Sequence, residues 1–173
     1  MTTLKVRTYP DPILGKNCTP VDNVNDEVLS LINKMIETML TIPGIGLAAP
    51  QIGVSVRIIV VDMSLKEINM PPLSLINPEI SESENKMSIK EEGCLSIPEI
   101  FGEISRSERI EVKGLDIEGK EIVISAEGFL ARIFQHEIDH LNGFLFWDRM
   151  SKIKRDILKR RFKKMMMKKR VVL

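Results

Sequence analysis

The feature that most limits the fold of this chain is the stretch "GFLARIFQHEIDHLNGFLF", which holds His136, Glu137 and His140 in the order H-E-x-x-H. Helical residues four positions apart share a face, so both imidazoles reach one metal ion, with Glu137 beside them. These are the only two histidines in the sequence. A catalytic metal site usually has three protein ligands and an open position, so a third ligand is needed. The alternative is a helix with two buried, hydrogen-bonded histidines and no metal.

Few candidates for the third ligand follow this motif. The longer pattern H-E-x-x-H-x-x-G-x-x-H fails, because Phe146 stands where its last histidine belongs. No Glu follows the second histidine, which leaves Asp148 and Asp156 as weaker alternatives. Upstream, Cys94 lies in "EEGCLSIP", where Gly93 permits close backbone approach, and a thiolate is a strong ligand for zinc or iron. Elimination therefore predicts Cys94 as the third ligand.

Hydrophobic periodicity predicts an α+β fold, with mostly antiparallel strands packed around a central H-E-x-x-H helix and a basic C-terminal helix. The glycines and prolines of 43–53 predict a loop, and those of "LSLINPEI" predict a strand at an edge or near its end. The remaining predicted elements are a helix over 25–40, a buried strand over 56–63, a hairpin over 108–128 that turns at Glu118-Gly119, and helices over 128–141 and 150–170.

The C-terminal segment differs in charge from the rest of the chain. Residues 149–170 contain twelve Lys and Arg and one acid, a net charge of +11, whereas the remainder carries −10. A charged run on a helix is most often a solvated face, but this excess favours contact with a polyanion. We therefore predict a catalytic metallo-hydrolase domain over 1–148 and a basic helix or tail over 149–173. The apolar stripe predicted to pack the tail on the body is Ile153, Ile157, Leu158, Phe162 and Met166.

Bulk composition predicts a cytoplasmic globular protein. The chain has 173 residues, of which 43% are hydrophobic and 28% are charged, as in ordinary globular domains. The start, "MTTLKVRTYPDPILG", lacks the apolar core of a signal peptide, and no apolar run approaches the roughly 20 residues of a membrane span. Two cysteines, Cys18 and Cys94, argue against a disulfide framework.

Three short motifs, in this order and spacing, resemble the signature motifs of the peptide deformylases. They are "GIGLAAPQ" from Gly44 to Gln51, "EGCLS" from Glu92 to Ser96, and "QHEIDH" from Gln135 to His140. The resemblance covers roughly residues 6–150, and the basic tail is similar to the C-terminal helix of many bacterial members. It implies an amide hydrolase that removes the formyl group from the N-terminal formyl-methionine of nascent polypeptides and releases formate.

The resemblance also implies a role for each motif residue. Glu137 is the expected general acid and base, and the Gln51 side chain and the Leu95 backbone N–H are the expected donors to the oxyanion. Gly46 is expected to pair with the extended peptide. An ion pair of Glu92 with Arg106 beneath the site is expected, with solvated side chains as the alternative. The expected metal ligands are Cys94, His136 and His140. The expected walls of the methionine pocket are Ile45, Phe129 and Ile133. For Phe129 and Ile133 the alternative is plain packing in the protein core.

The family usually works with iron(II) and accepts nickel or cobalt, and the predicted ligands also suit zinc. We therefore expect one divalent ion, Fe²⁺ in the cell, with Zn²⁺, Ni²⁺ or Co²⁺ as substitutes. The implied activity makes nascent formyl-methionyl peptides the expected substrate partners. In part of the family the C-terminal helix docks on the ribosome, so the ribosome, through ribosomal RNA, is the second expected partner. No membrane partner is expected. The alternative functions are a zinc endopeptidase and a non-catalytic RNA-binding protein.

Overall fold

The computed structural model describes residues 4–65 and 68–171. These residues form three α-helices and seven β-strands, arranged as one five-stranded and one two-stranded antiparallel sheet. The predicted α+β architecture with antiparallel strands is thereby confirmed. The helices are α1 (Asp26–Thr41), α2 (Gly128–Leu141) and α3 (Lys152–Val171), and the strands are β1 (Gly46–Ala48), β2 (Ile58–Val61), β3 (Leu73–Ser83), β4 (Met87–Cys94), β5 (Ile97–Ser107), β6 (Arg109–Leu115) and β7 (Glu121–Glu127).

The five-stranded sheet, in the order β1-β2-β3-β6-β7, lies between α1 and α2. Side chains of a strand alternate between its faces, and the alternation in β2 shows both packing layers. Ile58 and Val60 pack with the apolar face of α1, whereas Ile59 and Val61 pack with α2. A strand buried on both faces needs a continuous apolar run, which explains the "IIVV" of β2. Helix α2, with its H-E-x-x-H motif, is therefore largely buried.

Strand β3 lies third in the five-stranded sheet, so it is not an edge strand along its whole length, but its pairing with β2 ends at Ile76, just before Pro78, in agreement with the predicted ending. Pro78 cannot donate to a ladder, but the register of β3 against β6 shifts between Ile76 and Glu79 and leaves Pro78 out of the paired positions. The residue before it, Asn77, has a positive φ of 52°. A bulge thus accommodates the proline, and β3 pairs with β2 before it and with β6 after it.

Two further segments differ from the periodicity-based prediction. The predicted loop over 43–53 contains β1, which forms one edge of the sheet, followed by a 3₁₀ turn over Ala49–Ile52. Residues 84–107, for which no element was predicted, form the long β4–β5 hairpin. The hairpin packs against α2 and turns directly after Cys94, the last residue of β4, so it brings the second motif beside the first and the third.

Helix α3 packs on the body through fewer residues than the predicted stripe. Phe162 is 2% exposed and contacts a cluster around Trp147, with Leu158 and Met166 packed against that cluster. Ile153 and Ile157 are 74% and 52% exposed, so their place in the stripe was wrong. Helix α3 therefore packs on the body mainly from its second turn onward, and in its first turn only Arg155 is half-buried, beside Asp148.

Cys18 and Cys94 are both free thiols, as predicted. Within residues 4–65 and 68–171, none of the helices has the length and apolar character that crossing a membrane requires.

Candidate metal centre

Helix α2 carries both histidines on the face that looks toward the β4–β5 hairpin. The His136 and His140 rings lie with their centroids 5.0 Å apart and nearly perpendicular. The Nδ1 atom of His136 is 3.1 Å from Oε2 of the buried Glu92 on β4, which leaves its Nε2 atom for a ligand. A carboxylate on the second nitrogen of an imidazole fixes the tautomer and orientation of a metal-binding histidine.

Cys94 ends β4 and meets the two histidines there. Its Sγ atom is 3.2 Å from Nε2 of His140, and the potential ligand atoms of Cys94, His136 and His140 all lie within 4.8 Å of one another. One thiolate and two imidazoles suit a zinc, iron or other transition-metal ion. Asp148, the alternative third ligand, instead accepts the Leu145 backbone N–H.

The protonation of these groups fits a cation site. Burial opposes a charged thiolate, but electrostatic contacts with His140 and hydrogen bonds from both histidines hold the pKa of Cys94 well below its usual value. Against the same effect of burial, hydrogen bonds to Cys94 and Glu92 hold the pKa of His136 well above its usual value. The lowered pKa of the Cys94 thiol favours the thiolate form that binds a metal ion, and a divalent ion at these atoms would take the place of a proton on His136.

Glu137 lies at the same centre with its carboxylate buried. Burial raises the pKa of Glu137, while the neighbouring histidines oppose that rise. Its Oε2 atom has no hydrogen-bond partner among the described residues, although it is shielded from solvent. A Cβ atom added at Gly46 would lie only 2.5 Å from Oε1 of Glu137, so strand β1 passes directly against the carboxylate. The arrangement leaves one carboxylate oxygen available for a proton that comes from a bound molecule.

Gln51 presents its amide nitrogen to the centre. Its Oε1 atom accepts the Ala48 backbone N–H at 2.8 Å, which identifies Nε2 as the atom on the other side. That nitrogen donates to Ser96 Oγ at 3.3 Å and lies 3.6 Å from Cys94 Sγ. Leu95 occupies the turn between β4 and β5, next to Cys94. The two predicted oxyanion donors therefore stand beside the predicted metal ligands.

The N-terminal segment braces both of these motifs, which the sequence did not predict. The Arg7 N–H donates to the Gln51 carbonyl at 2.6 Å, and the Tyr9 N–H donates to the Ser96 carbonyl at 2.9 Å. The Tyr9 ring packs edge-on against Trp147, with centroids 5.0 Å apart. Such backbone bonds depend on tertiary placement, so no local pattern predicts them.

A cavity of about 520 Å³ opens onto the centre. It lies between the β1 edge, the β4–β5 hairpin and the first turns of α2, and its mouth carries Phe101, which is 56% exposed. Phe129 is also half exposed, whereas Ile133 is buried, and both residues line the cavity wall. The residues predicted for the site that line the cavity are Ile45, Gly46, Gln51, Cys94, Leu95, Phe129, Ile133, His136 and Glu137.

Beneath the centre lies a buried ion network that the sequence predicted only in part. Arg106 donates two hydrogen bonds of 3.0 Å to Glu92, so the expected ion pair is confirmed. Arg132 adds a bond of 2.6 Å to the same carboxylate, and Arg106 also reaches Asp139 at 2.5 Å. Burial opposes a charged carboxylate, but hydrogen bonds from His136 and Arg106, together with the charges of both groups, hold the pKa of Glu92 far below its usual range. The carboxylate that orients His136 is thus ionised.

An antiparallel α+β fold built around an H-E-x-x-H helix, with a thiolate and a buried carboxylate at one cavity, defines a metal-dependent hydrolase. Comparison with known proteins gives the family. The polypeptide deformylase family model matches residues 3–156, and the chain belongs to that family.

Relatives and solved structures agree with this assignment over almost the whole chain. The peptide deformylase of Thermodesulfovibrio yellowstonii is 50% identical over 163 residues, which cover 94% of this chain and 98% of that protein. That of Halothermothrix orenii is 51% identical over 158 residues, 91% of this chain and all of that protein. The Ehrlichia chaffeensis enzyme, solved in complex with actinonin, superimposes with a TM-score of 0.87 at 40% identity and covers 95% of this chain and 98% of its own.

Proposed function

We propose that Cys94, His136 and His140 hold the catalytic metal of this peptide deformylase, and that Glu137 moves the proton during hydrolysis. The enzyme removes the formyl group from the N-terminal formyl-methionine of nascent polypeptides and releases formate. The observation that carries the proposal is the convergence of three ligand atoms within 4.8 Å of one another, beside a buried carboxylate with an unpartnered oxygen. When bound, the ion lowers the pKa of a water molecule and polarises the formyl carbonyl.

Glu137 is suited to proton transfer by its position. Its raised pKa brings the carboxyl closer to neutrality, where a group both accepts and returns a proton efficiently. The carboxylate takes a proton from the attacking water and later gives it to the amine that leaves. Strand β1 passes beside Oε1 at Gly46, where a Cβ atom would have no room, and Oε2, which has no hydrogen-bond partner among the described residues, is the oxygen that we propose for the proton.

Charge that develops on the formyl oxygen needs donors that are already oriented. Gln51 is held by Ala48 so that Nε2 faces the centre, and the backbone N–H of Leu95 is the second donor. Removing one such donor typically lowers kcat by about 100-fold to 1,000-fold.

The β1 edge supports binding of an extended peptide. In β1 the Ile45 carbonyl accepts the Asp62 N–H toward β2, while the Ala48 N–H points away from β2 to Gln51. By strand alternation the N–H and carbonyl of Gly46 also point away from β2, toward the cavity. A formyl-methionyl chain added there as a further strand places the methionine side chain against Ile45, Phe129 and Ile133.

Ligand chemistry supports iron(II) as the metal in the cell. A thiolate with two imidazoles suits Fe²⁺ and Zn²⁺, and Ni²⁺ or Co²⁺ substitute on similar grounds. Metal quantification of protein purified anaerobically from cells tests this choice. Iron in a one-to-one ratio is expected, and zinc as the main metal under those conditions contradicts it.

Formate release from a short formyl-Met peptide tests the roles of the residues. Release in proportion to bound metal is expected, with none from an acetyl-Met control. Cys94→Ala and His136→Ala lose metal and activity together, whereas Glu137→Ala keeps the metal and loses turnover. Retained turnover in Glu137→Ala removes Glu137 from the mechanism, and retained metal in His136→Ala removes that ligand.

We propose that the enzyme is cytoplasmic and that residues 149–173 form a separate basic tail. We further propose that this tail binds ribosomal RNA. Helix α3 packs through Phe162 and leaves seven of its basic side chains exposed, where phosphates reach them. The exposed ones are Lys152, Lys154, Arg160, Arg161, Lys163, Lys164 and Lys168.

Co-sedimentation with ribosomes at several salt concentrations tests the role of the tail. Wild-type binding weakens steeply with salt, and replacing residues 160, 161, 163 and 164 by Gln lowers both the affinity and the salt dependence. Activity on a free formyl-Met tripeptide is the control and stays unchanged. Equal sedimentation of wild type and variant contradicts the proposal.

A further inference from the structure

A chain of ion pairs connects the start of the basic tail to the metal centre. Arg149 donates to Asp139 through Nε at 3.0 Å and through Nη2, and Arg106 donates to the same carboxylate at 2.5 Å. Arg106 in turn makes the paired bonds of 3.0 Å to Glu92, whose Oε2 atom is 3.1 Å from Nδ1 of His136. Every link is a direct contact between charged or ionisable groups.

The residues in this chain of contacts differ in burial, and the difference separates Arg149 from the rest. Glu92, Arg106 and Asp139 are at most 7% exposed, so each needs its partners to stay ionised inside the protein. The Arg149 side chain is 46% exposed and also stacks over the Phe144 ring at 5.2 Å. Among the described residues that form this chain of contacts, Arg149 is therefore the most exposed.

Asp139 shares its carboxylate between two arginines. Without Arg149, one carboxylate oxygen loses its donor, and Asp139 draws more strongly on Arg106. Arg106 is also the bidentate partner of Glu92, so a shift of its guanidinium moves the carboxylate that orients His136. Asp139 itself precedes His140 on α2, so both proposed histidine ligands feel the same displacement.

We propose that Arg149 is a positioning residue for the metal centre, which acts on His136 and His140 through Asp139, Arg106 and Glu92. The inference rests on the proposed function, because it takes these histidines as metal ligands. It also gives the first residue of the tail a task that differs from contact with a polyanion.

Arg155 provides a matched control. It lies in the same basic segment and pairs with an aspartate, Asp148, at 3.5 Å. Among the described residues, Asp148 forms no hydrogen bond or ion pair with Arg149, Asp139, Arg106 or Glu92, and only its charge acts on Arg149. Arg155→Gln therefore removes the same charge from the same segment and leaves the chain of contacts to the metal centre intact.

The experiment uses full-length protein loaded with Co²⁺ and follows its visible absorption and its loss of cobalt to excess chelator. Replacing groups that orient metal ligands typically lowers metal affinity or activity by about 10-fold to 100-fold. Because Arg149 acts through intermediaries, Arg149→Gln is expected to lose cobalt about tenfold faster and to shift the absorption bands. Arg149→Lys, which keeps the charge but not the paired geometry, falls between that variant and wild type.

Arg155→Gln is expected to match wild type in cobalt loss and absorption. A purely structural role for Arg149 predicts a lower unfolding temperature but unchanged bands and cobalt loss, and this result overturns the proposal. If Arg149→Gln fails to fold, Arg149→Lys is used instead. Cobalt loss from Arg149→Lys at the wild-type rate then overturns the proposal equally. Wild type and His136→Ala are measured in parallel. Retention of cobalt by His136→Ala rejects the proposed ligands themselves, a failure distinct from that of Arg149.

Discussion

Replacing Gly46 by Ala tests whether the position of the Glu137 carboxylate limits catalysis. The added Cβ atom would lie 2.5 Å from Oε1 and 2.9 Å from Cδ of Glu137, whereas ordinary contacts begin at 3.4 Å. The carboxylate therefore has to withdraw by roughly 0.9 Å, and a misplacement of about 1 Å costs about 100-fold in rate. We expect kcat to fall about 100-fold, or about 2.7 kcal/mol in transition-state stabilisation.

The assay is formate release from a formyl-Met tripeptide, with kcat and KM separated and metal measured in the same sample. Metal content is expected to stay at the wild-type level, because Glu137 is not a proposed ligand. Gly15→Ala is the matched control, since an added Cβ atom there meets no other atom within 4 Å. Its kcat is expected to equal that of wild type.

Three results would refute this reasoning. A wild-type kcat in fully metallated Gly46→Ala means that the carboxylate moves without consequence, so its position does not limit the rate. A raised KM with unchanged kcat means that the methyl group obstructs the peptide on the β1 edge and leaves Glu137 in place. A lower kcat accompanied by metal loss assigns the effect to the ligands and also rejects the argument.

Three further predictions concern stability and proton transfer. Phe162→Ala should lower the free energy of unfolding by about 3 kcal/mol in urea titrations, because it empties a buried site under α3, whereas Ile153→Ala, in solvent, should change it by less than about 0.5 kcal/mol. The pKa of Glu92 is lower in the folded protein than its usual value of 4.5, so its ionised form stabilises the fold fully above that pH and progressively less as the pH falls below it. Glu92→Gln should therefore reduce the loss of unfolding free energy between about pH 5 and pH 3. The same dependence of unfolding free energy on pH in wild type and variant contradicts the assignment. Glu137→Ala should lower kcat by about 100-fold to 10,000-fold at full metal occupancy, as formate release measures.

Local patterns predicted the helices well because each is fixed by its own residues. Helix α1 begins where Asn25 accepts the Val28 N–H at 3.0 Å, as expected for an N-cap, and its apolar spacing fixes the buried face. Helix α2 is determined in the same way by the periodicity of 128–141. The spacing within its motif therefore placed both histidines on one face before any tertiary contact was known.

Strand pairing was harder to predict, because it depends on partners distant in sequence. The β4–β5 hairpin alternates weakly, since Ile89 and Phe101 face solvent while Glu92 and Arg106 are buried. Burial of charge beside Ile104 on the inner face weakens the usual pattern, in which apolar residues point inward. Such a hairpin carries only a weak hydrophobic period for sequence analysis to detect. Its buried charges make sense only beside Asp139 and His136 on α2.

The geometry of α2 and β4 explains why one strand serves both histidines. Four residues of helix advance about 6 Å, and two residues of strand advance about 6.8 Å, so the two spacings nearly match. Glu92 accordingly meets His136 at 3.1 Å, while Cys94, two residues later, meets His140 at 3.2 Å. A motif of the form E-x-C on a strand and H-x-x-x-H on a helix therefore behaves as one unit, in which the strand supplies an orienting carboxylate and a thiolate at the same spacing as the two imidazoles.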